Sequence, residues 1–156
     1  MSRLYIGDFL DGAEKTLCVY RYIDCADDTI KYVGIVRKAT LKDRIMAHFC
    51  SDEWAKEKLW RVEYFECETQ SEVEAFEGHL ISLYGTGKYY NKSKASWGLN
   101  KYLPDIESEW KLVYKSNALD IETAKEILRF KKLVREKRID EAMEIFKEFV
   151  FIEDNE

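Results

Sequence analysis

The feature that most constrains the fold of this sequence is a pair of short apolar runs near the N-terminus. LCVYRYID (17–24) and TIKYVGIV (29–36) are rich in β-branched and aromatic residues, which favour strands. Between them, Asp27 and Asp28 supply the short polar side chains that favour tight turns. Two strand-forming runs joined by a short polar connection predict a β-hairpin over residues 17–36.

The pattern after the hairpin predicts a helix, a link and a third strand. From Thr40 the apolar residues recur every three or four positions, and Thr40 with Asp43 fits a capping box, so we expect a helix over about 40–50. Residues 52–58 would form a short helical or irregular link. LWRVEYFECE (59–68) alternates in polarity, which is typical of a strand.

A second helix is predicted over about 71–84. Ser71 and Glu74 fit a capping box at its start, and Gly85 and Gly87 follow its apolar stripe. The order of elements predicts an α+β fold with a small three-stranded antiparallel sheet flanked by helices. Residues 1–100 are expected to form this domain.

The remaining residues, 101–156, are predicted to form a C-terminal helical extension. SWGLNKYLPDIESEW (96–110) contains the only proline and has the character of an irregular connection. Ile121–Lys137 and Ile139–Phe151 have the apolar spacing of two amphipathic helices, with the turn near Arg138. A helical hairpin of this size buries little apolar area alone, so it should dock on the first domain or on another subunit.

Composition excludes several classes of protein. No apolar run approaches the roughly 20 residues that cross a bilayer, and the N-terminus lacks the pattern of a signal peptide. The four cysteines form no C-x-x-C pair, which favours reduced thiols. We therefore expect a soluble cytoplasmic protein that does not associate with membranes.

Six landmarks along residues 17–92 carry a family resemblance. CVY at 18–20 and YVG at 32–34 are similar to the two signatures of the GIY-YIG nuclease family. The later landmarks fall in the family's order, namely Arg44 and His48 on the first predicted helix, Glu77 in FEGHLI and Asn91 in KYYN. The resemblance implies a metal-dependent endonuclease that hydrolyses DNA phosphodiester bonds.

The resemblance implies three parts of a catalytic site. Glu77 would bind the metal, Mg²⁺ or Mn²⁺, because one carboxylate suits an ion that keeps much of its water shell. Tyr20 resembles the tyrosine proposed as general base in the family, although a free phenol has a pKa of about 10 and needs a nearby cation or metal-bound water. Tyr32 would orient phosphate or water.

The other three landmarks imply binding and support. Arg44 can place a charged planar fork on two phosphate oxygens. His48 lies one helical turn later and could bind phosphate or donate a proton, or be a packed or exposed histidine without a role. Asn91 has the character of a scaffold residue that forms hydrogen bonds. Two alternatives need no catalytic site. The tyrosine rings could serve only core packing, and Glu77 could be an ordinary surface glutamate.

The formal net charge of −5 argues against nucleic-acid binding by bulk electrostatics. DNA binding would instead need a local basic face. The candidates flank the motifs and are Arg37, Lys38, Lys42, Lys88, Lys92 and Lys94. The alternative is that these basic residues are scattered over the surface and form no such face.

A second function class stays open. Cys18 stands where the family usually has glycine, and no large DNA-binding domain is evident. A non-catalytic nucleic-acid-binding or protein-interaction module on the same scaffold is therefore the alternative. The C-terminal helices could also form a homodimer.

Overall fold

The computed structural model describes residues 7–92, 103–116 and 118–150. Its strands are β1 (Asp8–Phe9), β2 (Cys18–Asp24), β3 (Thr29–Val36), β4 (Trp60–Glu66) and β5 (Lys111–Lys115). Its α-helices are α1 (Leu41–Ser51), α2 (Glu53–Glu57), α3 (Gln70–Tyr84), α4 (Ala118–Arg135) and α5 (Ile139–Val150). Short 3₁₀ turns occur at Thr86–Lys88 and Glu107–Glu109.

The predicted hairpin is confirmed. Strands β2 and β3 pair antiparallel, with Tyr20 opposite Gly34 and Tyr22 opposite Tyr32. Asp28 adopts a positive φ of 59° in the turn, a conformation that aspartate tolerates better than most residues.

The sheet has five strands, so the prediction of three was wrong although the α+β class is confirmed. The strand order is β1-β5-β4-β2-β3, and every pairing is antiparallel. Strand β5 escaped prediction because KLVYK is short, has a lysine at each end and buries only Val113 and Tyr114. It lies beyond residue 100 yet joins the sheet; the division into two domains stays a prediction.

Both main helices begin at threonine caps. The Thr40 Oγ1 accepts a hydrogen bond from the Asp43 N–H, as predicted. The cap of α3 is Thr69, not Ser71: the Thr69 Oγ1 accepts from the Glu72 N–H at 3.2 Å, and the Glu72 carboxylate accepts from the Glu68 N–H. This helix therefore begins slightly earlier than predicted, and it ends at Gly85 with φ 66°.

The two faces of the sheet are covered by different helices. Residues of α1, including Leu41 and Ile45, pack with Tyr20 on one face. Residues of α3, including Phe76, pack with Val33 on the other. Because β3 is an edge strand, side chains from both helices can meet beside its free edge.

The C-terminal helices form the predicted hairpin and contact the rest of the chain. Leu133, Ala142 and Ile145 are buried between α4 and α5. Helix α4 also contacts α2, and the Lys131 Nζ donates to the Cys50 carbonyl at 2.9 Å. Among the described residues, no helix has the length and apolarity that a membrane span requires.

Candidate active site

A surface cavity of about 860 Å³ lies beside the free edge of β3. Tyr32 from β3, Arg44 from α1 and Glu77 from α3 all line it. These helices cover opposite faces of the sheet, so their side chains meet only because β3 is an edge strand. The remaining lining residues are Ile35, Val36, Arg37, Lys38, Ala39, Gln70 and Glu74.

Glu77 is the half-buried carboxylate of this cavity. It accepts no hydrogen bond and forms no ion pair with any residue that the structure describes. Burial raises the pKa of Glu77, while Arg37 and Arg44 oppose that rise. A carboxylate in this position gains from a cation that enters the cavity. Its neighbour Glu74 differs, because its Oε1 is 2.8 Å from the Arg37 Nη1.

Arg44 supplies a fixed positive charge to the same space. Its buried Nε has no hydrogen-bond partner within the described ranges. Because a guanidinium stays charged and a buried donor without a partner is costly, this N–H is suited to an anionic oxygen.

The two motif tyrosines occupy different layers. Tyr32 lines the cavity, whereas Tyr20 is completely buried behind it, with ring centroids 6.1 Å apart. The glycine of the YVG motif makes this possible: a Cβ at Gly34 would lie 2.4 Å from the Tyr20 hydroxyl oxygen. Burial raises the pKa of Tyr20 well above its usual value, and the nearby Arg44 opposes that rise. Tyr20 is therefore protonated at neutral pH, and it can act as a base only if another group takes its proton.

His48 is that neighbouring group. It is 6% exposed and does not line the cavity. Its Nε2 is 2.7 Å from the Tyr20 hydroxyl, and its Nδ1 is 2.7 Å from the Asp52 Oδ2. Burial lowers the pKa of His48 although Asp52 opposes the change. The three side chains form a hydrogen-bonded chain that ends at a carboxylate.

A comparison with protein-family models identifies the domain that contains this cavity. Residues 17–91 match the family model of the GIY-YIG catalytic domain. Residues 17–91 therefore form a domain of the GIY-YIG family. No curated protein and no solved structure matches the chain at a significant level.

Within this GIY-YIG domain, Asn91 is bound to the scaffold. Its Oδ1 accepts from the Val33 N–H at 2.9 Å, and its Nδ2 donates to the Val33 carbonyl at 2.8 Å. Both polar atoms of the amide are therefore used on the backbone of the edge strand. Asn91 thereby occupies the N–H and C=O groups of Val33 to which another strand could otherwise bond. It does not line the cavity.

The basic candidates divide into two groups. Arg37 and Lys38 line the cavity of the GIY-YIG domain, whereas Lys42, Lys88 and Lys92 are exposed elsewhere. The Lys42 Nζ lies 5.5 Å from the centre of the Phe9 ring, and the Lys88 Nζ lies 5.3 Å from that of Tyr89. Lys94 lies outside the described residues.

Cys18, the departure from the family signature, is buried in the core formed with α1 and does not line the cavity. A ligand in the cavity would therefore not meet its side chain.

Asp52 is the site residue that sequence reasoning missed. Its position four residues after His48, at the end of the same helix, is the spacing at which helical side chains meet, and that spacing could have identified it.

Proposed function

We propose that this protein is a metal-dependent endonuclease that hydrolyses DNA phosphodiester bonds at the cavity beside β3. The observation that supports the proposal is the meeting of Tyr32, Arg44 and Glu77 in one cavity of a GIY-YIG domain. Together, these residues offer a hydroxyl, a permanent cation and a carboxylate that has no partner among the described residues. Hydrolysis of a phosphodiester needs these kinds of group, because charge develops on the phosphoryl oxygens in the transition state.

Glu77 would hold the metal ion. Its half-buried carboxylate has no hydrogen-bond or ion-pair partner in the part of the chain that the structure describes, which fits a hydrated divalent cation. No group of three or more metal-ligating side chains occurs among the described residues, so water and phosphate oxygens would supply the other ligands. The metal, when bound, supplies positive charge that stabilises the transition state and the departing oxygen.

Arg44 would bind the scissile phosphate. Arg44 lines the cavity, and its buried Nε has no hydrogen-bond partner among the described residues. Two parallel N–H donors on one phosphate would fix the orientation of the phosphorus relative to the attacking water. Arg37 and Lys38 at the same cavity would hold neighbouring phosphates, and Lys42, Lys88, Lys92 and Lys94 would extend this contact.

Tyr20 and His48 would remove the proton of the attacking water. Tyr20 is fully buried in the free protein, so substrate binding has to move the cavity side chains Tyr32 and Arg44 enough for a water molecule to reach its hydroxyl. The hydroxyl passes its proton to the His48 Nε2 as it accepts one from water. The phenol is then unchanged, and the proton resides on an imidazolium beside the Asp52 carboxylate.

The water oxygen forms a bond to phosphorus, the bond from phosphorus to the 3′ oxygen breaks, and its electron pair leaves with that oxygen. The 3′ oxygen takes a proton from solvent, and His48 later returns its proton to solvent. The products are a 5′-phosphate and a 3′-hydroxyl.

A homodimer through the C-terminal helices stays a prediction. The described part of the hairpin exposes three apolar side chains that such a contact would cover, namely Val134, Ile139 and Met143.

A cleavage panel tests the proposed function. Linear, nicked, branched and modified DNA are incubated with the full chain in Mg²⁺, in Mn²⁺ or in EDTA. We expect cleavage that requires the metal and weakens steeply with salt, because phosphate contacts release counterions. DNA binding without cleavage of any substrate would refute the enzyme and favour the non-catalytic module.

A further inference from the structure

Asp52 occupies an unusual position between two helices. It follows the last residue of α1, where its N–H donates to the His48 carbonyl at 2.8 Å, and it precedes the first residue of α2. Aspartate is among the residues most favoured for capping a helix N-terminus through its side chain. Here the side chain makes no capping bond with α2 and binds His48. Helix capping therefore does not account for this carboxylate.

The contact with Asp52 determines which nitrogen of His48 carries the proton. An ionised carboxylate only accepts hydrogen bonds, so the His48 Nδ1 must donate to it. In a neutral imidazole the other nitrogen then has a free lone pair, and the Nε2 accepts from the Tyr20 hydroxyl. Without Asp52, no other described residue would hold the Nδ1 proton and favour this tautomer over the one in which the Nε2–H points at Tyr20.

The surroundings of His48 make the choice of tautomer consequential. Aromatic rings enclose the imidazole, with centroids at 4.9 Å for Tyr32, 5.3 Å for Trp54 and 5.5 Å for Tyr22. In this environment burial lowers the pKa of His48, and its neighbour Arg44 lowers it further. The Asp52 carboxylate opposes both effects, so it also offsets the charge of an imidazolium that forms when Tyr20 gives up its proton.

We infer that Asp52 is a positioning residue that holds His48 in the Nδ1–H tautomer, so that the His48 Nε2 can take the Tyr20 proton. This inference rests on the proposed function, because the transfer matters only if Tyr20 serves as the base. Asp52 does not line the cavity and would act through its hydrogen bond to His48.

The test combines nuclear magnetic resonance with kinetics on the full chain. The sequence holds only two histidines, His48 and His79, so ¹⁵N labelling of histidine gives a simple spectrum that a His79→Gln protein assigns. In the wild type, we expect the His48 Nδ1 to be protonated and the Nε2 to be unprotonated at neutral pH. In Asp52→Asn, the side-chain amide can donate to the Nδ1, which shifts His48 toward the Nε2–H tautomer.

The same variant should slow catalysis without weakening DNA binding. We expect the single-turnover cleavage rate of Asp52→Asn at saturating DNA to fall about 100-fold or more. The reason is that a His48 protonated on Nε2 cannot accept the Tyr20 proton. The Kd for DNA in Ca²⁺ should stay within about threefold of the wild type, because Asp52 does not line the cavity. Glu53→Gln is the matched control, because it removes the same charge from the exposed neighbouring residue and should change neither the spectrum nor the rate.

Three results would overturn the inference: an unchanged His48 tautomer in Asp52→Asn, a shifted tautomer with an unchanged rate, or an equal loss in Glu53→Gln. A wild-type protein that cleaves no DNA refutes the proposed function and, with it, the catalytic role of Asp52. The His48 spectrum still reports separately whether Asp52 sets the tautomer.

Discussion

Glu77→Gln is expected to reduce the metal-dependent cleavage rate about 10³-fold, which corresponds to a loss of about 4 kcal/mol of transition-state stabilisation. The substitution keeps the shape of the side chain but removes the charge that would hold the metal. Its fold should survive, because Glu77 makes no hydrogen bond or ion pair with the described residues. Removal of a half-buried charge also relieves the desolvation that raises the pKa of Glu77. Single-turnover nicking of a supercoiled plasmid measures the effect.

Glu74→Gln is the matched control for that experiment. Glu74 lines the same cavity one helical turn earlier, but its carboxylate is exposed and paired with Arg37. Its loss should reduce the rate by less than about tenfold, since exposed ion pairs contribute little energy. Equal losses in the two variants would mean that the cavity needs general negative charge and not a metal ligand at Glu77.

Tyr20→Phe is expected to reduce the cleavage rate by about 10² to 10⁴-fold, the range that general base catalysis supplies. The change removes only the hydroxyl, so the fully buried ring keeps its packing. The His48 Nε2 would lose its partner in a buried setting, which should lower the free energy of unfolding by about 1–3 kcal/mol. Urea unfolding and single-turnover cleavage measure the two effects separately.

Two phenylalanine variants serve as comparisons for Tyr20. Tyr22 is also buried and packs on His48 and Tyr32, but its hydroxyl is not part of the chain from Tyr20 to Asp52, so Tyr22→Phe should retain most activity. Tyr32→Phe removes the hydroxyl that lines the cavity. Wild-type rates in Tyr20→Phe together with a large loss in Tyr32→Phe would assign the base to Tyr32 and remove Tyr20 from the mechanism.

The sequence predicted the parts of the fold in which local pattern and tertiary packing agree. The hairpin of β2 and β3 has strong strand formers on both sides of a polar turn, and α1 has both a threonine cap and an apolar stripe. Strands β1 and β5 carry little such pattern. They form because β5 pairs with β4, and β1 then pairs with β5. Strands β1 and β5 are distant in sequence, so local pattern does not predict their pairing.

The candidate site divides in the same way. Motif order named candidate site residues, and three of them, Tyr32, Arg44 and Glu77, line one cavity. It did not predict that Tyr20 lies behind that cavity, because strand alternation gives the face of a side chain and not its depth below the surface. Asp52 was missed because it belongs to no motif. Its role depends on the direction in which the chain turns between α1 and α2.

The most direct measurement is cleavage in water enriched in oxygen-18, followed by mass spectrometry of the DNA ends and of the protein. Direct attack by an activated water predicts one labelled oxygen in the 5′-phosphate of the product, an unlabelled 3′-hydroxyl and no DNA attached to the protein. An unlabelled 5′-phosphate, a label at the 3′ end, or DNA joined covalently to Tyr20 or Tyr32 would contradict hydrolysis by a water molecule at this cavity.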